Sequence, residues 1–179
     1  MVRFIDRLRT KGSVMPSSRF LVRRMLAKMP LDRDLDVLQL GFGSGVFAHA
    51  ILAAMTAHST LTVFEVDAAS RRYAISDNRL RYIEASAEHI SDHCGTQQFD
   101  VIISSLPLAS LPRPVTRTVL LQVRNHLKPG GTFLQYQYSL FSRGAIRDLF
   151  GVEPVIGFEL LNFPPAFIYR VVRPGPLQS

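Results

Sequence analysis

The sequence predicts an α/β domain in which helices cover both faces of a mostly parallel, seven-stranded sheet. Three observations lead to this prediction: apolar and amphipathic segments alternate from residue 36 onward, a glycine-rich turn follows the first apolar segment, and the last two apolar segments nearly adjoin. Alternation of this kind is typical of parallel strands joined by helical crossovers. The closely spaced last pair leaves no room for a crossover, so it predicts an antiparallel hairpin at the sheet edge.

The strands are predicted from apolar runs bounded by turn residues, and the helices from apolar side chains that recur every three to four residues. The strands cover residues 37–40, 61–66, 81–84, 99–104, 132–138, 155–161 and 166–172. The helices cover residues 46–55, 68–76, 114–127 and 143–150. A further helix after Pro16-Ser17-Ser18 carries Leu21, Met25 and Met29 on one face, and Pro30 ends it.

Length and composition indicate one globular unit. The chain has 179 residues, of which 47% are hydrophobic and 20% charged, so it can form a core and is too apolar for disorder. No apolar run reaches the ~18 residues that cross a bilayer, and the N-terminus lacks the continuous apolar stretch of a secretory signal. The single cysteine, Cys94, fits a reducing cytoplasm. No metal site is expected, because His89 and His93 lack a third ligand.

The positive charge is concentrated at the N-terminus. Residues 1–33 hold nine basic and two acidic side chains, which accounts for the whole net charge of +7, since the other residues hold twelve of each sign. Phe4, Ile5 and Leu8 would share one face of a helix over residues 2–11. We therefore expect a basic amphipathic arm over residues 1–33 and a folded domain over residues 34–179. The positive charge of the arm indicates an anionic partner, either a lipid surface or a nucleic acid backbone.

The glycine-rich turn joins the first strand of the alternating region to a helix. Gly41, Gly43 and Gly45 form it, and Glu65 ends the following strand. Glycines at this point let the backbone approach a ligand closely, and the carboxylate can accept hydrogen bonds from both hydroxyls of a ribose. The turn therefore predicts a nucleoside cofactor. NAD stays open, although Val46 stands where its fingerprint has a third glycine, and so does a tight turn without a ligand.

A second loop, Ser104-Ser105-Leu106-Pro107-Leu108, leaves the carboxyl end of the fourth strand. In this topology it lies beside the glycine turn, where ligands collect. It resembles the Asn-Leu-Pro-Tyr motif of amino-group methyltransferases, in which the polar residue and a backbone carbonyl hold the target nitrogen. The resemblance implies that Ser105 and the carbonyl of Leu106 hold the acceptor. The alternative is an ordinary loop limited by its proline.

Over its whole length the chain resembles the bacterial phospholipid N-methyltransferases, which are similar in turn to the ribosomal RNA adenine dimethylases. Three segments besides the two loops carry the resemblance: residues 12–19, residues 129–138, and Asn162-Phe163-Pro164-Pro165-Ala166. The resemblance implies the class I S-adenosylmethionine (SAM) methyltransferase fold, which is Rossmann-like. It also implies SAM as the methyl donor and S-adenosylhomocysteine as the product.

The resemblance further implies which residues hold the cofactor. The implied residues are Gln39, Gly41, Gly43, Gly45, Glu65, Ser86, Ala87 and Ser104. Gln39 stands where the family usually has an acidic residue for the SAM amino group, and Ser86 where an aspartate commonly binds the adenine amine. Both can accept hydrogen bonds but lack the charge. A membrane-binding homologue with weakened or lost SAM binding is therefore one alternative.

The expected reaction is methylation of the amino group of phosphatidylethanolamine and its methylated derivatives at the cytoplasmic surface of the membrane. The basic arm would bind anionic lipid, each lysine or arginine contributing ~1 kcal/mol. Tyr136 and Tyr138 face one side of their strand, and Tyr138, nearer the carboxyl edge, is the candidate to contact the amine or its cationic product. The other alternative is an RNA adenine N-methyltransferase with a nucleic acid partner. Leu108 disfavours it, because the aromatic ring that would stack on a base is missing.

Overall fold

The structure is a computed structural model that describes residues 18–73 and 75–175. Seven strands form one sheet in the order β3-β2-β1-β4-β5-β7-β6. They are β1 (Asp36–Leu40), β2 (Thr60–Glu65), β3 (Leu80–Glu84), β4 (Phe99–Ser104), β5 (Leu127–Gln137), β6 (Val155–Glu159) and β7 (Ala166–Val172). Strands β1 to β5 pair in parallel, whereas β7 pairs antiparallel with both β5 and β6. The predicted mostly parallel sheet with an antiparallel edge hairpin is confirmed.

Helices pack on both faces of this sheet and form two cores. Within the described residues they are α1 (Arg19–Leu26), α2 (Val46–Ala54), α3 (Ile90–Cys94), α4 (Arg113–His126) and α5 (Arg143–Phe150). The first core contains Leu21 of α1 and Ile51 of α2. The second core, on the opposite face, contains Val123 of α4 and Ile146 of α5. All four of these side chains are fully buried.

Three element predictions require correction. Residues 68–76 contain a short 3-10 turn, Ala68–Tyr73, where an α-helix was expected. Strand β5 begins at Leu127, five residues early, because the backbone at Gly130 and Gly131 exchanges 2.9 Å hydrogen bonds with Arg173 and continues the sheet. Helix α3 was not predicted, since five residues are too few to show a helical period.

The predicted N-terminal arm is described only from Ser18 onward, so the proposed amphipathic face of Phe4, Ile5 and Leu8 lies outside the described residues. Helix α1 begins after Ser18, whose Oγ accepts a hydrogen bond from the Leu21 amide at 3.2 Å. The Ser18 amide donates to Asn162 Oδ1 at 2.9 Å, which fixes the start of α1 to the β6–β7 turn. Within the described ranges, no helix is long and apolar enough to cross a membrane.

Candidate active site

The glycine turn lies at the carboxyl end of β1, and its three glycines adopt left-handed backbone conformations. The φ angles are +86° at Gly41, +55° at Gly43 and +78° at Gly45, which residues with a Cβ rarely adopt. A Cβ at Gly41 would also lie 2.4 Å from Ser105 Oγ. At Gly43, by contrast, no atom of the described residues lies within 4 Å of a Cβ position. The turn is therefore closed toward the second loop and open at Gly43.

Glu65 lies at the end of β2 and holds the glycine turn in place. Its Oε2 accepts hydrogen bonds from the amides of Phe42 (2.9 Å) and Gly43 (3.0 Å). Its Oε1 accepts one from the Asp67 amide at 2.9 Å. A carboxylate offers about four lone-pair sites, so Glu65 can still accept a hydrogen bond from a ribose hydroxyl. The structure thus gives Glu65 a structural role that the sequence did not reveal.

Gln39 lies at the same edge with its side chain buried at 2% exposure. Its Nε2 donates to the carbonyl of Gly41 at 2.7 Å, which leaves Oε1 as the acceptor. That Oε1 is buried and has no hydrogen-bond partner within the described structure. An orphaned buried acceptor costs about 1–3 kcal/mol, so a ligand that donates a hydrogen bond here would be stabilised.

Ser86 and Ala87 lie just after the end of β3, at the same sheet edge. The Ser86 hydroxyl accepts from the Glu88 amide at 3.3 Å and donates to the Glu88 carboxylate at 3.2 Å. It therefore caps the 3-10 turn Ala87–His89, and its oxygen has one acceptor position left. Ala87 is buried in the second core and can offer a ligand only its backbone.

The second predicted loop contacts the glycine turn. The Ser105 amide donates to the Leu40 carbonyl at 2.9 Å. Its hydroxyl lies within 3.2 Å of the same carbonyl and 3.3 Å of the Gly41 carbonyl. The expectation that these two segments adjoin is therefore confirmed. The small glycine at position 41 makes this approach possible, since any side chain there would displace Ser105.

The carbonyl of Leu106, predicted to hold the target nitrogen, already accepts two hydrogen bonds. They come from Gln135 Nε2 and Gln137 Nε2, both at 3.0 Å. A carbonyl has two lone pairs, so an amine could bind there only if one glutamine moved away. Sequence reasoning missed both glutamines, although two amides in a strand as apolar as β5 are a signal of buried polar contacts.

The remaining predicted residues shape the loop or lie at its border. Ser104 is buried, and its Oγ accepts from the Leu106 amide at 3.3 Å. Leu108 is buried in the second core, so it offers no surface to an acceptor. Tyr138 is half exposed just beyond β5, with its ring centroid 6.1 Å from that of Tyr136. The two tyrosines do face the same side, as predicted, although Tyr136 is part of the first core.

Tyr82 of β3 is a further polar residue that was not predicted for the site. Its ring meets Phe42 edge-on at a centroid distance of 5.2 Å. Burial, together with the negative charge of Glu65, raises the pKa of Tyr82 to about 12. The hydroxyl is therefore protonated at neutral pH, and it is buried without a partner among the described residues. It adds a hydrogen-bonding group beside the glycine turn.

These groups fit a nucleoside that carries an α-amino acid side chain, as SAM does. The open backbone at Gly43 gives room, the Glu65 carboxylate suits hydroxyl donors, and the orphaned Gln39 oxygen suits an ammonium donor. No group of three or more His, Cys, Asp or Glu side chains converges anywhere in the described ranges.

The strand order, with a glycine turn after β1 at the carboxyl edge of the sheet, is that of the class I SAM methyltransferases. Residues 37–131 match the methyltransferase domain family, and the chain belongs to that family. It is therefore a SAM-dependent methyltransferase, and the predictions of fold, enzyme class and cofactor are confirmed.

Similar proteins agree with this assignment. The chain is 28% identical over 168 residues to an ornithine lipid N-methyltransferase from Singulisphaera acidiphila, covering 88% of this chain and 86% of the relative. Among solved structures, the N-methyltransferase NodS from Bradyrhizobium japonicum WM9, in complex with S-adenosyl-L-homocysteine, has a TM-score of 0.66 at 17% identity. That match covers 88% of this chain and 89% of NodS. CrArsM, an arsenic(III) SAM methyltransferase from Chlamydomonas reinhardtii, has a TM-score of 0.62 at 18% identity, covering 88% of this chain and 75% of its own.

Proposed function

We propose that the enzyme methylates the amino group of a membrane phospholipid, namely phosphatidylethanolamine and its methylated derivatives. The observation that carries this proposal is the contact between residues 104–108, which we call the acceptor loop, and the glycine turn, through the Ser105 hydroxyl and the carbonyls of Leu40 and Gly41. It joins a segment that resembles an amine-binding motif directly to the turn that would hold the methyl donor. The ornithine lipid N-methyltransferase relative supports a lipid amine as the acceptor.

The residues of the site divide into a cofactor half and an acceptor half. In the cofactor half, Gln39 would hold the amino group, Glu65 the ribose, and Ser86 with the Ala87 backbone the adenine. When bound, SAM supplies an electrophilic methyl group on a sulfonium. In the acceptor half, the loop over residues 104–108 would hold the nitrogen in line and exclude water.

The target amine must lose a proton before it attacks. A primary alkyl amine, judged by lysine at ~10.4, is mostly protonated at neutral pH. Residues 104–108 contain no carboxylate or imidazole that could take this proton, so we infer that it leaves to water at the mouth of the site. The half-exposed ring of Tyr138 would then offer its face to the methylated cation.

We propose that this reaction takes place at the cytoplasmic surface of the membrane. The excess positive charge within residues 1–33 supports an anionic lipid surface as the partner. The buried Leu108 leaves the acceptor loop without the stacking ring that a base would need, which supports lipid over RNA.

The test is to incubate the protein with methyl-labelled SAM and four acceptors in separate tubes. Three are vesicles with equal anionic lipid: one contains phosphatidylethanolamine, one an ornithine lipid, and one only phosphatidylcholine, which has no free amine. The fourth acceptor is RNA. We expect label in the phosphatidylethanolamine vesicles and none in the phosphatidylcholine control.

Label found only in the ornithine lipid would show that this lipid, and not phosphatidylethanolamine, is the acceptor. The proposed class of acceptor, a lipid amine, would be unchanged. Label in RNA alone would contradict the proposal in favour of an RNA adenine methyltransferase. Calorimetry with S-adenosylhomocysteine completes the test, because absence of binding would mean that the site no longer holds its cofactor.

A further inference from the structure

Five large apolar side chains are exposed around the ends of β5 and β6. Leu140 (46%) and Phe141 (88%) follow β5, whereas Leu160 (70%), Leu161 (64%) and Phe163 (76%) lie in the β6–β7 turn. We call these five residues the edge patch. Single exposed apolar residues are common on soluble proteins, but a cluster of them marks an interaction site.

Sheet register puts both parts of the edge patch at one edge of the sheet. Gln137 at the end of β5 pairs with Phe167, and Glu159 at the end of β6 pairs with Ala166. The residues that follow Gln137 and Glu159 therefore leave the sheet side by side. This is the carboxyl edge of the parallel strands, where the glycine turn and the acceptor loop also lie. At about 4.8 Å per strand, the patch extends from about 5 to 15 Å away from β4.

We propose that the edge patch inserts into the interface of a lipid bilayer and brings the mouth of the active site onto the membrane surface. The inference rests on the proposed lipid methylation and extends it, because it assigns membrane contact to two loops of the folded domain. A phospholipid could then present its amine to the acceptor loop while its acyl chains stay in the bilayer.

The charges beside the patch favour an anionic lipid surface over other partners. Arg19 and Arg23 are exposed on α1, and the Ser18 amide just before α1 is bonded to Asn162 within the β6–β7 turn. The one carboxylate at the base of that turn, Glu159, is buried and lies 3.6 Å from Arg24. The patch therefore combines apolar side chains with exposed positive charge nearby, a combination that an anionic lipid surface attracts.

The position at which α1 begins also supports an anionic lipid surface as the partner. Because Ser18 is held at the β6–β7 turn, residues 1–17 connect to the domain beside the edge patch. Those residues carry four basic side chains and one acidic side chain. The charge predicted to attract anionic lipid is thus attached at the place where the domain exposes its apolar side chains.

A tryptophan reporter can test the insertion, because the chain contains no tryptophan. Phe141→Trp places the reporter in the patch. Val155→Trp is the matched control, since Val155 is 67% exposed but lies at the start of β6, on the opposite edge. With vesicles of phosphatidylcholine and phosphatidylglycerol, we expect blue-shifted emission and quenching by brominated lipid for Phe141→Trp alone.

Two outcomes of this experiment would overturn the proposal. The first is that Phe141→Trp emission is insensitive to vesicles that bind the protein, which would mean that other residues contact the lipid. The second is that its emission shifts with protein concentration in the absence of vesicles. That result would identify the patch as a contact between copies of the chain.

A substitution experiment measures how much the patch contributes to binding. Phe141→Ser with Leu160→Ser removes one strongly exposed member from each of the two loops of the patch, and we expect vesicle partitioning to fall about 10- to 100-fold. Val155→Ser with Val172→Ser removes exposed apolar side chains from the opposite edge and should change partitioning less than about twofold. Equal partitioning of the two double variants would contradict the proposal.

A monodisperse substrate separates this inference from the proposed function. A short-chain phosphatidylethanolamine below its micelle concentration needs no membrane docking, so the patch variant should methylate it at the wild-type rate. If the wild-type protein methylates neither this lipid nor vesicles, the proposed function fails, whereas the tryptophan result still decides whether the patch binds membranes.

Discussion

Gln39 is the site residue whose role can be tested most directly. The variant Gln39→Leu removes the buried Oε1, an acceptor that has no partner within the described structure, and the Nε2 donor to the Gly41 carbonyl. We expect affinity for S-adenosylhomocysteine to fall about tenfold, which corresponds to one lost hydrogen bond to a charged group. Isothermal titration calorimetry measures this directly.

Gln39→Glu is the informative companion variant. It adds the negative charge that the resemblance implies at this position and keeps an acceptor for the amino group, but it also removes the donor to the Gly41 carbonyl, so we expect it to bind S-adenosylhomocysteine more tightly than Gln39→Leu does. If the leucine variant binds as tightly as wild type, then Gln39 does not hold the amino group.

Gln135 is expected to position the acceptor loop without touching the cofactor. Its Nε2 donates to the carbonyls of Leu106 (3.0 Å) and Tyr136 (2.7 Å) from a fully buried side chain. In Gln135→Leu the Leu106 carbonyl loses one of its two side-chain donors, so we expect kcat to fall about tenfold, equivalent to roughly 1.4 kcal/mol. Affinity for S-adenosylhomocysteine should stay within about twofold, because the Gln135 side chain donates to the carbonyls of Leu106 and Tyr136, neither of which is a predicted cofactor residue.

Gln137→Leu provides the comparison, since it removes a 3.0 Å bond to the same carbonyl and a weaker 3.5 Å bond that Gln137 Oε1 accepts from the Ala109 amide. Its kcat should fall less. A parallel loss of cofactor affinity and kcat in Gln135→Leu would show instead that the whole site is disturbed.

At the residue scale, the sequence predicted which segments lie together but not the hydrogen bonds that their residues form. Gly41 and Ser105 were predicted to adjoin and do so, because topology alone brings their two loops to the same edge. The double hydrogen bond at Leu106 could not be predicted, since it depends on the register of β5 against β4. The structural role of Glu65 likewise depends on a local fold of the turn that no motif encodes.

The glycine turn is the element on which the cofactor half depends. Gly41→Ala would combine a left-handed φ of +86° with a contact of 2.4 Å to Ser105 Oγ. Gly43→Ala would introduce only the unfavourable φ of +55°. We therefore expect Gly41→Ala to reduce both cofactor affinity and kcat more than Gly43→Ala, which should cost about 1–2 kcal/mol in unfolding free energy.

Gly144→Ala is the control for these two variants. Gly144 lies in α5, and a Cβ there would meet no atom of the described residues within 4 Å. Alanine is the better helix former, so this variant should be as active as wild type and slightly more stable. Equal effects of Gly41→Ala and Gly43→Ala would contradict the predicted contact with Ser105.

The amino edge of the sheet is held by charges, and these make stability depend on pH. Asp100 accepts hydrogen bonds from Lys128 Nζ (2.8 Å), the Asp36 amide (2.9 Å) and Arg33 (3.1 Å). Burial alone would raise the pKa of Asp100, but these donors outweigh it and lower the pKa below its ordinary value. The contact therefore joins three central strands through an ionised carboxylate.

Because the pKa of Asp100 is lower in the folded state than the ~3.9 expected in the unfolded state, its carboxylate stabilises the fold at pH values above ~3.9. This stabilisation is lost as the pH falls through the folded-state pKa. We expect Asp100→Asn to lower the unfolding free energy at pH 7 by about 2 kcal/mol and to weaken its decline below about pH 4. Urea unfolding between pH 7 and pH 2.5 measures both. Asp148→Asn, which removes an exposed ion pair with Arg147, should change the free energy of unfolding little.

At the element scale, long periodic segments were predicted well and short ones were not. Helix α4 and strands β1, β2 and β4 lie within a residue or so of their predicted bounds, because their apolar patterns are continuous. Strand β5 continues through Pro129-Gly130-Gly131, which the sequence read as a turn. The pairing with Arg173 that extends it lies more than forty residues away in the chain and has no local signal.

The whole molecule distributes charge and apolar surface unequally. Its net charge of +7 resides in the first 33 residues, whereas the remaining residues are balanced. Its exposed apolar cluster lies at the carboxyl edge of the sheet, beside the start of α1. If both features serve one membrane-binding function, attraction by charge and insertion of apolar side chains should be separable by salt.

Two triple variants that remove the same amount of charge from different places test how much the attraction by charge contributes to membrane binding. The first changes Arg3, Arg7 and Arg9 to glutamine. The second changes Arg113, Arg117 and Arg124, which are exposed on α4 on the opposite face of the sheet from α1. At about 1 kcal/mol for each charge, the first variant should partition about 100-fold less onto anionic vesicles at low salt.

Raising the salt to physiological strength shortens the Debye length from about 30 Å at 0.01 M to about 8 Å, so the difference between the first variant and wild type should shrink. The second variant should follow wild type at every salt concentration if binding depends on where the charge lies. Identical losses in both variants would show that only net charge matters. In that case the N-terminal segment has no particular part in orienting the active site toward the membrane.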